Sequence, residues 1–301
     1  HWFFAWIGLE LNTLAIIPIL AKHHHPRATE AATKYFIIQA TASSLILFSS
    51  ILNAWHTGTW DITQLSTKLA TITLTIALTM KLGLAPMHFW LPEVMQGTTL
   101  SSALIIATWQ KLPPMSLLLM TKYLPTPILL TLAITSTLIG GWSGLNQVHM
   151  RKILAFSSIA HLGWTAAILT LSQKLALLSL MIYILMTTTL FLILISHTTK
   201  TFKDMSQLWT KSPALSTSCM FILMALGGLP PLIGFLPKWM ILKELTNYHL
   251  IPLATSMAIT SLLSLMFYMR LTYITTLTIS PNTTNYMMKW RFKSTTTISP
   301  T

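Results

Sequence analysis

Charged side chains lie inside apolar segments of this sequence, where a membrane would make them costly. Glu10 is near the middle of the apolar run that starts at Trp2, and Lys81 and Lys111 each lie within a later run. Insertion scales put a charge at the centre of a membrane helix at roughly 2.5–3.5 kcal/mol, so each group needs compensation. Lys238 is a fourth candidate, although its sequence neighbours alone also allow a place at a helix end.

A buried ion pair between Glu10 and Lys81 is the simplest compensation that the sequence offers. Acidic and basic groups that are paired and partly removed from water change protonation state readily, and they can pass protons along a hydrated path between helices. The alternative is a static ion pair that fixes helix packing. Because one Glu and three Lys are more costly groups than packing alone requires, we favour proton transfer through these four side chains.

Two histidines, His88 and His161, are further candidates for proton relay because imidazole titrates near neutral pH. An imidazole held by a neighbouring carbonyl or hydroxyl is an equally simple alternative. The run His23–His25 suggests metal binding by composition, but no cysteine or clustered carboxylate accompanies it. We expect a solvated loop there.

The elements that must position these side chains are membrane helices. Of the 301 residues, 53% are hydrophobic and 8% are charged, against about 25% charged in soluble domains. Apolar runs of about 20 residues can cross the hydrocarbon layer as helices, and the alternation typical of membrane β-barrels is absent. The sequence therefore predicts an all-α, polytopic transmembrane helix bundle with about nine spans. These are 2–21, 35–52, 69–86, 100–119, 128–145, 153–171, 175–195, 214–235 and 250–271.

The formal charge of +13 is explained by membrane topology and not by nucleic-acid binding. Basic residues between alternating spans gather on one face, which the positive-inside rule assigns to the inside. That face carries Lys22, Arg27, Lys34, Arg151, Lys152, Lys200, Lys203, Lys211, Lys289, Arg291 and Lys293. The opposite face carries Lys68, Lys122, Lys174 and Lys243.

Cysteine usage and motifs point away from redox chemistry in this chain. Cys219 is the single cysteine, which excludes an intramolecular disulfide, a CxxC pair and a cysteine-ligated iron–sulfur cluster contained in the chain. No GxGxxG, P-loop or HExxH motif is present. We expect no cofactor and no metal ion in this chain.

Two segments interrupt the plain apolar pattern, GLAPMHFWLPE (83–93) and GLPPLIGFLPK (228–238). Proline removes a backbone donor and obstructs the preceding turn, so each segment predicts a broken helix. Irregular backbone at membrane depth is tolerated only beside protein or a water-filled cavity, and matching broken helices in two halves are typical of transporters. The short match suggests an internal repeat.

The first of these segments, extended to KLGLAPMHFWLPE (81–93), resembles the broken-helix motif of the antiporter-like, proton-translocating membrane subunits of respiratory complex I and of Mrp antiporters. Further strings are similar to the subunit 2 family of vertebrate mitochondrial NADH dehydrogenase. They are WFFAWIGLELN (2–12), TEAATKYF (29–36), GLNQ (144–147), RKILAFSSIAH (151–161) and GGLPP (227–231).

The resemblance implies a fold of two inverted five-helix units, each with one discontinuous helix. We expect a single membrane domain over 1–301, with a first repeat over 1–122 that is truncated at its N-terminus and a second over 125–280. A polar tail over 281–301 would precede a further helix, so the chain would be a fragment that lacks both terminal helices.

The resemblance also implies roles for the charged residues. Glu10, Lys81, Lys111 and Lys238 correspond to the family's proton-path glutamate and three lysines. Protonation of the Glu10 and Lys81 pair would bias Lys111, the central proton carrier, and Lys238 would connect to the exit side or a neighbouring subunit.

The implied setting is the mitochondrial inner membrane, where this multi-pass chain would be one subunit of proton-translocating NADH:ubiquinone oxidoreductase. NADH, FMN, the iron–sulfur clusters and ubiquinone would belong to other parts of the parent complex. Other membrane-arm subunits and phospholipids would be its partners, and it would not exist as a stand-alone monomer. A separate cation/proton antiporter and a structural spacer are the alternative functions.

Overall fold

The chain folds into a bundle of long helices joined by short loops. The computed structural model describes residues 1–22, 25–121, 123–206 and 208–277. Its α-helices are α1 (Trp2–Ala21), α2 (Pro26–Thr57), α3 (Lys68–Leu82), α4 (Trp90–Gly97), α5 (Leu100–Ala107), α6 (Leu112–Met120), α7 (Thr126–Gly144), α8 (Met150–Leu169), α9 (Gln173–His197), α10 (Phe202–Ser206), α11 (Leu208–Lys211), α12 (Pro213–Gly227), α13 (Phe235–Asn247) and α14 (Ile251–Leu277).

Several sequence predictions lie outside the described residues. They concern His23 and His24 of the histidine run, Lys122, the polar tail 281–301 and its Lys289, Arg291 and Lys293. His25, which ends the histidine run, is described and is exposed to solvent.

Most of the predicted spans correspond to one continuous helix each. Within the described ranges, seven helical segments are long and apolar enough to cross a membrane, one of them formed by α5 and α6 together. The predicted spans 69–86 and 214–235 are instead broken helices, and their first halves α3 and α12 each have 15 residues. The all-α membrane fold is confirmed, and the difference in span count comes from these two interruptions.

Local sequence explains where the helices begin and end. Proline occupies the first turn of α2, α7 and α12, where its missing N–H is tolerated. Threonine hydroxyls are satisfied inside the helices: along α3, Thr71, Thr75 and Thr79 donate to the carbonyls of Lys68, Ile72 and Ile76 at 2.8–2.9 Å.

Helix α8 is the centre of the bundle. Of the 18-residue apolar window within it, 89% is buried, compared with 22% in α1. Helices α7 and α8 pack so closely that a Cβ on Gly140 or Gly163 would stand 2.8 Å or less from atoms of the facing helix. Glycine at these two positions therefore permits the close approach. The second halves of both broken helices, α4 and α13, pack against this centre, so the interruptions lie beside protein.

Candidate functional site: lysines at helix interruptions

The first halves of both broken helices, α3 and α12, end in the same backbone motif. After α3, the N–H of Gly83 donates to the carbonyls of Thr79 and Met80; after α12, the N–H of Gly228 donates to those of Met224 and Ala225. The two glycines have φ of 78° and 82°, a left-handed conformation that suits a residue without Cβ. Helical structure resumes only at Trp90 and Phe235. The predicted breaks are therefore present, and each leaves a helix C-terminus in the interior.

A third interruption was not predicted from the sequence. The span expected over 100–119 is divided into α5, a 3₁₀ turn over Trp109–Lys111, and α6. Pro113 and Pro114 lie in the first turn of α6 and have no backbone N–H, so the carbonyls of Trp109 and Gln110 lack their α-helical donors, which explains the change in helical geometry at this point. Lys111 ends the 3₁₀ turn and is 1% exposed.

Lys111 reaches from this turn to the end of the first broken helix. Its Nζ donates to the carbonyl of Leu82, the last residue of α3, at 2.5 Å. A helix C-terminus carries a partial negative charge, so this carbonyl is a favourable partner for an ammonium group. The same Nζ lies 5.5 Å from the centre of the Trp90 ring, within cation–π range.

Trp90, the first residue of α4, closes the first break. Its Nε1 donates to the carbonyl of Met80 at 3.2 Å, which satisfies another acceptor at the end of α3. Its ring packs edge to face against Tyr35, with 5.8 Å between ring centres. Trp90 thus holds the second half of the helix against the first and lies beneath Lys111.

The expected ion pair between Glu10 and Lys81 is not formed. The two side chains are not in nitrogen–oxygen contact within 4.0 Å. Within the described residues, Lys81 Nζ and Glu10 Oε2 are both buried without a hydrogen-bond partner. The Glu10 charge still acts on Lys81 and on Tyr35 across the gap. The prediction of a direct pair was wrong because α1 and α3 are separate helices whose spacing the sequence does not specify.

At the second break, the lysine that contacts the helix end comes from the second half of the same broken helix. Lys238 lies in α13, is 9% exposed, and donates from Nζ to the carbonyl of Gly227, the last residue of α12, at 2.8 Å. A Cβ on Gly228 would stand 2.8 Å from this Nζ. Glycine is therefore required here both for the left-handed φ and for the approach of the lysine.

A small internal cavity lies beside Lys238. It has a volume of about 20 Å³ and is lined by His161, Tyr183 and Lys238 among others, which is room for a water molecule. The rings of His161 and Tyr183 are 5.5 Å apart, and Tyr183 Oη donates to the carbonyl of Ala107 at 3.0 Å. Since Ala107 ends α5, Tyr183 connects the cavity with the helix interruption that contains Lys111.

The remaining polar groups tie these regions together. On the first side, Asn12 Nδ2 donates to Gln110 Oε1 at 3.0 Å, which links the helix of Glu10 to the turn before Lys111. His88 is 4% exposed, and its Nδ1 lies 3.2 Å from the carbonyl of Pro86. That contact is the locally satisfied alternative for this histidine. His161 also has a backbone partner, the carbonyl of Leu226, and in addition it lines the cavity beside Lys238.

Sequence reasoning missed Trp90, Tyr35, Tyr183 and Gln110. Trp90 and Tyr35 lie in strings that were quoted for the family resemblance, but no role was assigned to either. The partners of all four residues come from other segments of the chain. Among the described residues, no group of three or more His, Cys, Asp or Glu side chains is arranged to hold a metal ion.

Family models match along the chain. The model described as NADH:quinone oxidoreductase/Mrp antiporter, TM, matches residues 1–264, and the model described as NADH dehydrogenase subunit 2 C-terminus matches residues 265–301.

Individual relatives agree with these models. NADH-ubiquinone oxidoreductase chain 2 of Xenopus laevis is 57% identical over 295 residues, which are 98% of this chain and 86% of the relative. A chain in the structure of respiratory complex I from Thermus thermophilus with bound aureothin superposes with a TM-score of 0.85 at 29% identity, over 91% of this chain and 66% of that one. A chain of the Mrp complex from Dietzia sp. shares the fold, with a TM-score of 0.82 at 18% identity, over 89% of this chain and 55% of that one.

Proposed function

Because the chain belongs to the NADH:quinone oxidoreductase/Mrp antiporter family, we propose that it is a core membrane subunit of NADH:ubiquinone oxidoreductase that contributes to proton translocation. Relatives at 53–57% identity are named NADH-ubiquinone oxidoreductase chain 2, and they favour this function over a stand-alone antiporter. Electron transfer from NADH to ubiquinone would take place in other subunits of the parent complex.

The observation that carries the proposal is the placement of lysines on interrupted helix ends. Lys111 and Lys238 each donate to the final carbonyl of a helix that stops inside the bundle. An ammonium group can stay charged there because the helix end is negative, and it can lose a proton because neither lysine has a carboxylate oxygen within 4.0 Å among the described residues. Such a group suits a carrier that is charged in one state and neutral in another.

Glu10 and Lys81 form the modulating part of this proposed path. Their unpartnered oxygen and nitrogen are buried near each other without contact. Buried polar groups normally acquire a partner, and water serves where no protein group is within reach. A proton gained or lost by Glu10 would change the electrostatic stability of the Lys81 ammonium, and Gln110 would connect this region with Lys111.

Proton transfer between Lys111 and Lys238 would pass Tyr183 and His161. The Tyr183 hydroxyl contacts the α5 end beside Lys111, and the cavity that it lines also contains Lys238. One water in this cavity would shorten the path for a proton. In this proposal His161 is a relay residue and His88 is a packing residue.

The proposed setting is the mitochondrial inner membrane, as the names of the animal relatives suggest. The seven apolar helical segments within the described residues make the chain a multi-pass membrane protein. Other membrane-arm subunits and phospholipids would cover its exposed apolar helices. The division into repeats over 1–122 and 125–280 belongs to the same proposal.

Proton yield in the assembled complex tests the function. Lys111→Met removes the proposed carrier and keeps a long apolar side chain, whereas Lys68→Met removes an exposed lysine at the start of α3. In proteoliposomes, we expect Lys111→Met to lower the number of protons moved per NADH oxidised and Lys68→Met to leave it unchanged. Normal assembly with an undiminished proton yield in Lys111→Met would contradict the proposal and favour a structural spacer.

A further inference from the structure

A cationic cleft lies on the face of the bundle where α1 ends and α2 begins. It has a volume of about 480 Å³, within the range of ligand sites. Arg151, Lys200 and His25 contribute to its lining, and its described lining residues include no Asp or Glu. The cleft therefore concentrates positive charge among its described lining residues.

Helix ends add to this charge. The cleft is bordered by the first turns of three helices, through Ala28 of α2, Leu100 of α5 and Arg151 of α8. None of these first turns contains an acidic residue. A helix N-terminus carries a partial positive charge and unpaired N–H groups, so a cation such as Arg151 is unfavourable there unless an anion lies nearby.

The cationic side chains are held by the fold. Arg151 Nη1 donates to the carbonyl of Thr98, which leaves further donors of the guanidinium for another acceptor. The segment of Lys200 is fixed to the start of α8, since the Met150 N–H donates to the Lys200 carbonyl at 3.1 Å. The nearby Asp204 carboxylate accepts from the backbone N–H groups of Lys200 and Thr201.

We propose that this cleft binds the phosphate group of an anionic phospholipid. Arginine forms bidentate contacts with phosphate, helix N-termini bind it through backbone N–H groups, and basic pockets between membrane helices are suited to lipid headgroups. Leu20, Leu100 and Ile195 provide apolar walls next to the charged groups, as a lipid requires and a free anion does not.

Charge argues against the chain's own tail as the occupant. Residues 278–301 include Lys289, Arg291 and Lys293 and no acidic residue. Clefts of similar volume on the other face are less basic: each of the two contains one lysine, Lys68 or Lys174, within the described residues. The lipid site depends on the membrane setting and not on proton transport. The lipid site and the proposed proton transport can therefore each be wrong without the other.

Photolabelling of the assembled complex tests the site. The complex is placed in nanodiscs of phosphatidylcholine with a minor fraction of photoreactive phosphatidylglycerol, and labelled peptides are mapped. We expect label on 97–101 and 195–200. Arg151→Gln and Lys200→Gln should each reduce this label about tenfold, the loss expected for one charge-assisted contact. Lys152→Gln removes the neighbouring charge of α8, which lines a different cleft, and should leave the label unchanged.

The Lys200→Gln variant keeps the test valid if Arg151→Gln disturbs folding through its contact with Thr98. Inorganic phosphate added as a competitor separates the two sources of the phosphate group. Label that resists phosphate supports a lipid occupant. Label that phosphate removes assigns the cleft to free phosphate and overturns the lipid part. Label that is absent from these peptides, or equal in wild type and Lys200→Gln, overturns the site.

Discussion

At the first broken helix, the end of α3 is capped by Lys111 from a neighbouring segment, whereas at the second, the end of α12 is capped by Lys238 from its own second half. The first break also contains Lys81 with an unpartnered Nζ, a charge interaction with Glu10, and Trp90 over the turn. The same backbone motif thus supports two different arrangements of charge.

The difference suggests that the two breaks have different roles in proton transfer. Around the first break, acid and base are close but not in contact, so a change in one can alter the other at little structural cost. An ion pair between Lys34 and Glu93, at 2.7 Å, also fastens α4 to α2 there. At the second break the lysine is held by one carbonyl and faces His161 across a small cavity. We therefore expect proton exchange at Lys111 to be regulated by the groups around the first break, and proton exchange at Lys238 to be simpler.

Glycine substitutions should give the largest difference in melting temperature and proton yield between the two breaks. Gly83→Ala and Gly228→Ala both place a Cβ on a left-handed residue, at a cost of roughly 1–2 kcal/mol. Only Gly228→Ala also displaces Lys238, because the nearest atoms at Gly83 are 3.4 Å or farther. Gly228→Ala should lower the melting temperature of the assembled complex more and reduce proton yield.

Gly8→Ala is the control for this comparison, since its added Cβ has no atom within 4 Å beyond its chain neighbours and the nearby backbone of its own helix. Equal effects of Gly83→Ala and Gly228→Ala would contradict the close approach of Lys238 to the second turn.

Lysine removal should affect stability at one break and not at the other. Lys238→Met leaves the Gly227 carbonyl without its donor, which costs about 1–3 kcal/mol for a buried acceptor. Lys81→Met leaves no acceptor unpaired, because its Nζ has none among the described residues. Thermal melting of the assembled complex should therefore fall in Lys238→Met alone, while proton yield falls in both. A lower melting temperature in Lys81→Met would reveal a direct partner for that ammonium.

Trp90→Phe should have a smaller effect, confined to the first break. It keeps an aromatic ring under Lys111 but removes the Nε1 donor to the Met80 carbonyl, a loss of about 0.5–1.5 kcal/mol. We expect slower quinone-coupled NADH oxidation and a modest loss of thermal stability. Trp239→Phe is the matched control at the second break, since Trp239 is an exposed residue of α13. Equal activity and equal thermal stability of the two variants would contradict the proposal that Trp90 holds α4 against the end of α3.

The sequence was sufficient for the membrane class and for most helix positions. Apolar runs such as 2–21 and 128–145 match α1 and α7 to within two residues, because hydrocarbon thickness sets helix length. Both broken helices follow from glycine and proline chemistry at 83–93 and 228–238. These features depend only on local sequence.

The contacts of the charged groups could not be derived in the same way. The interruption at Lys111 has a signal in the Pro113–Pro114 pair, although the predicted span 100–119 runs through this pair as one helix. The bond from Lys111 to the Leu82 carbonyl and the gap between Glu10 and Lys81 depend on distances between helices. Sequence periodicity does not encode those distances.

Proton yield in Lys111→Arg tests the central claim most directly. Arginine keeps a positive charge for the end of α3 but does not release a proton at working pH, so it separates charge from proton exchange. In assembled complex with normal lipid content, we predict fewer protons moved per NADH oxidised than in wild type. A wild-type yield would mean that the charge of Lys111 is sufficient and that Lys111 does not carry a proton.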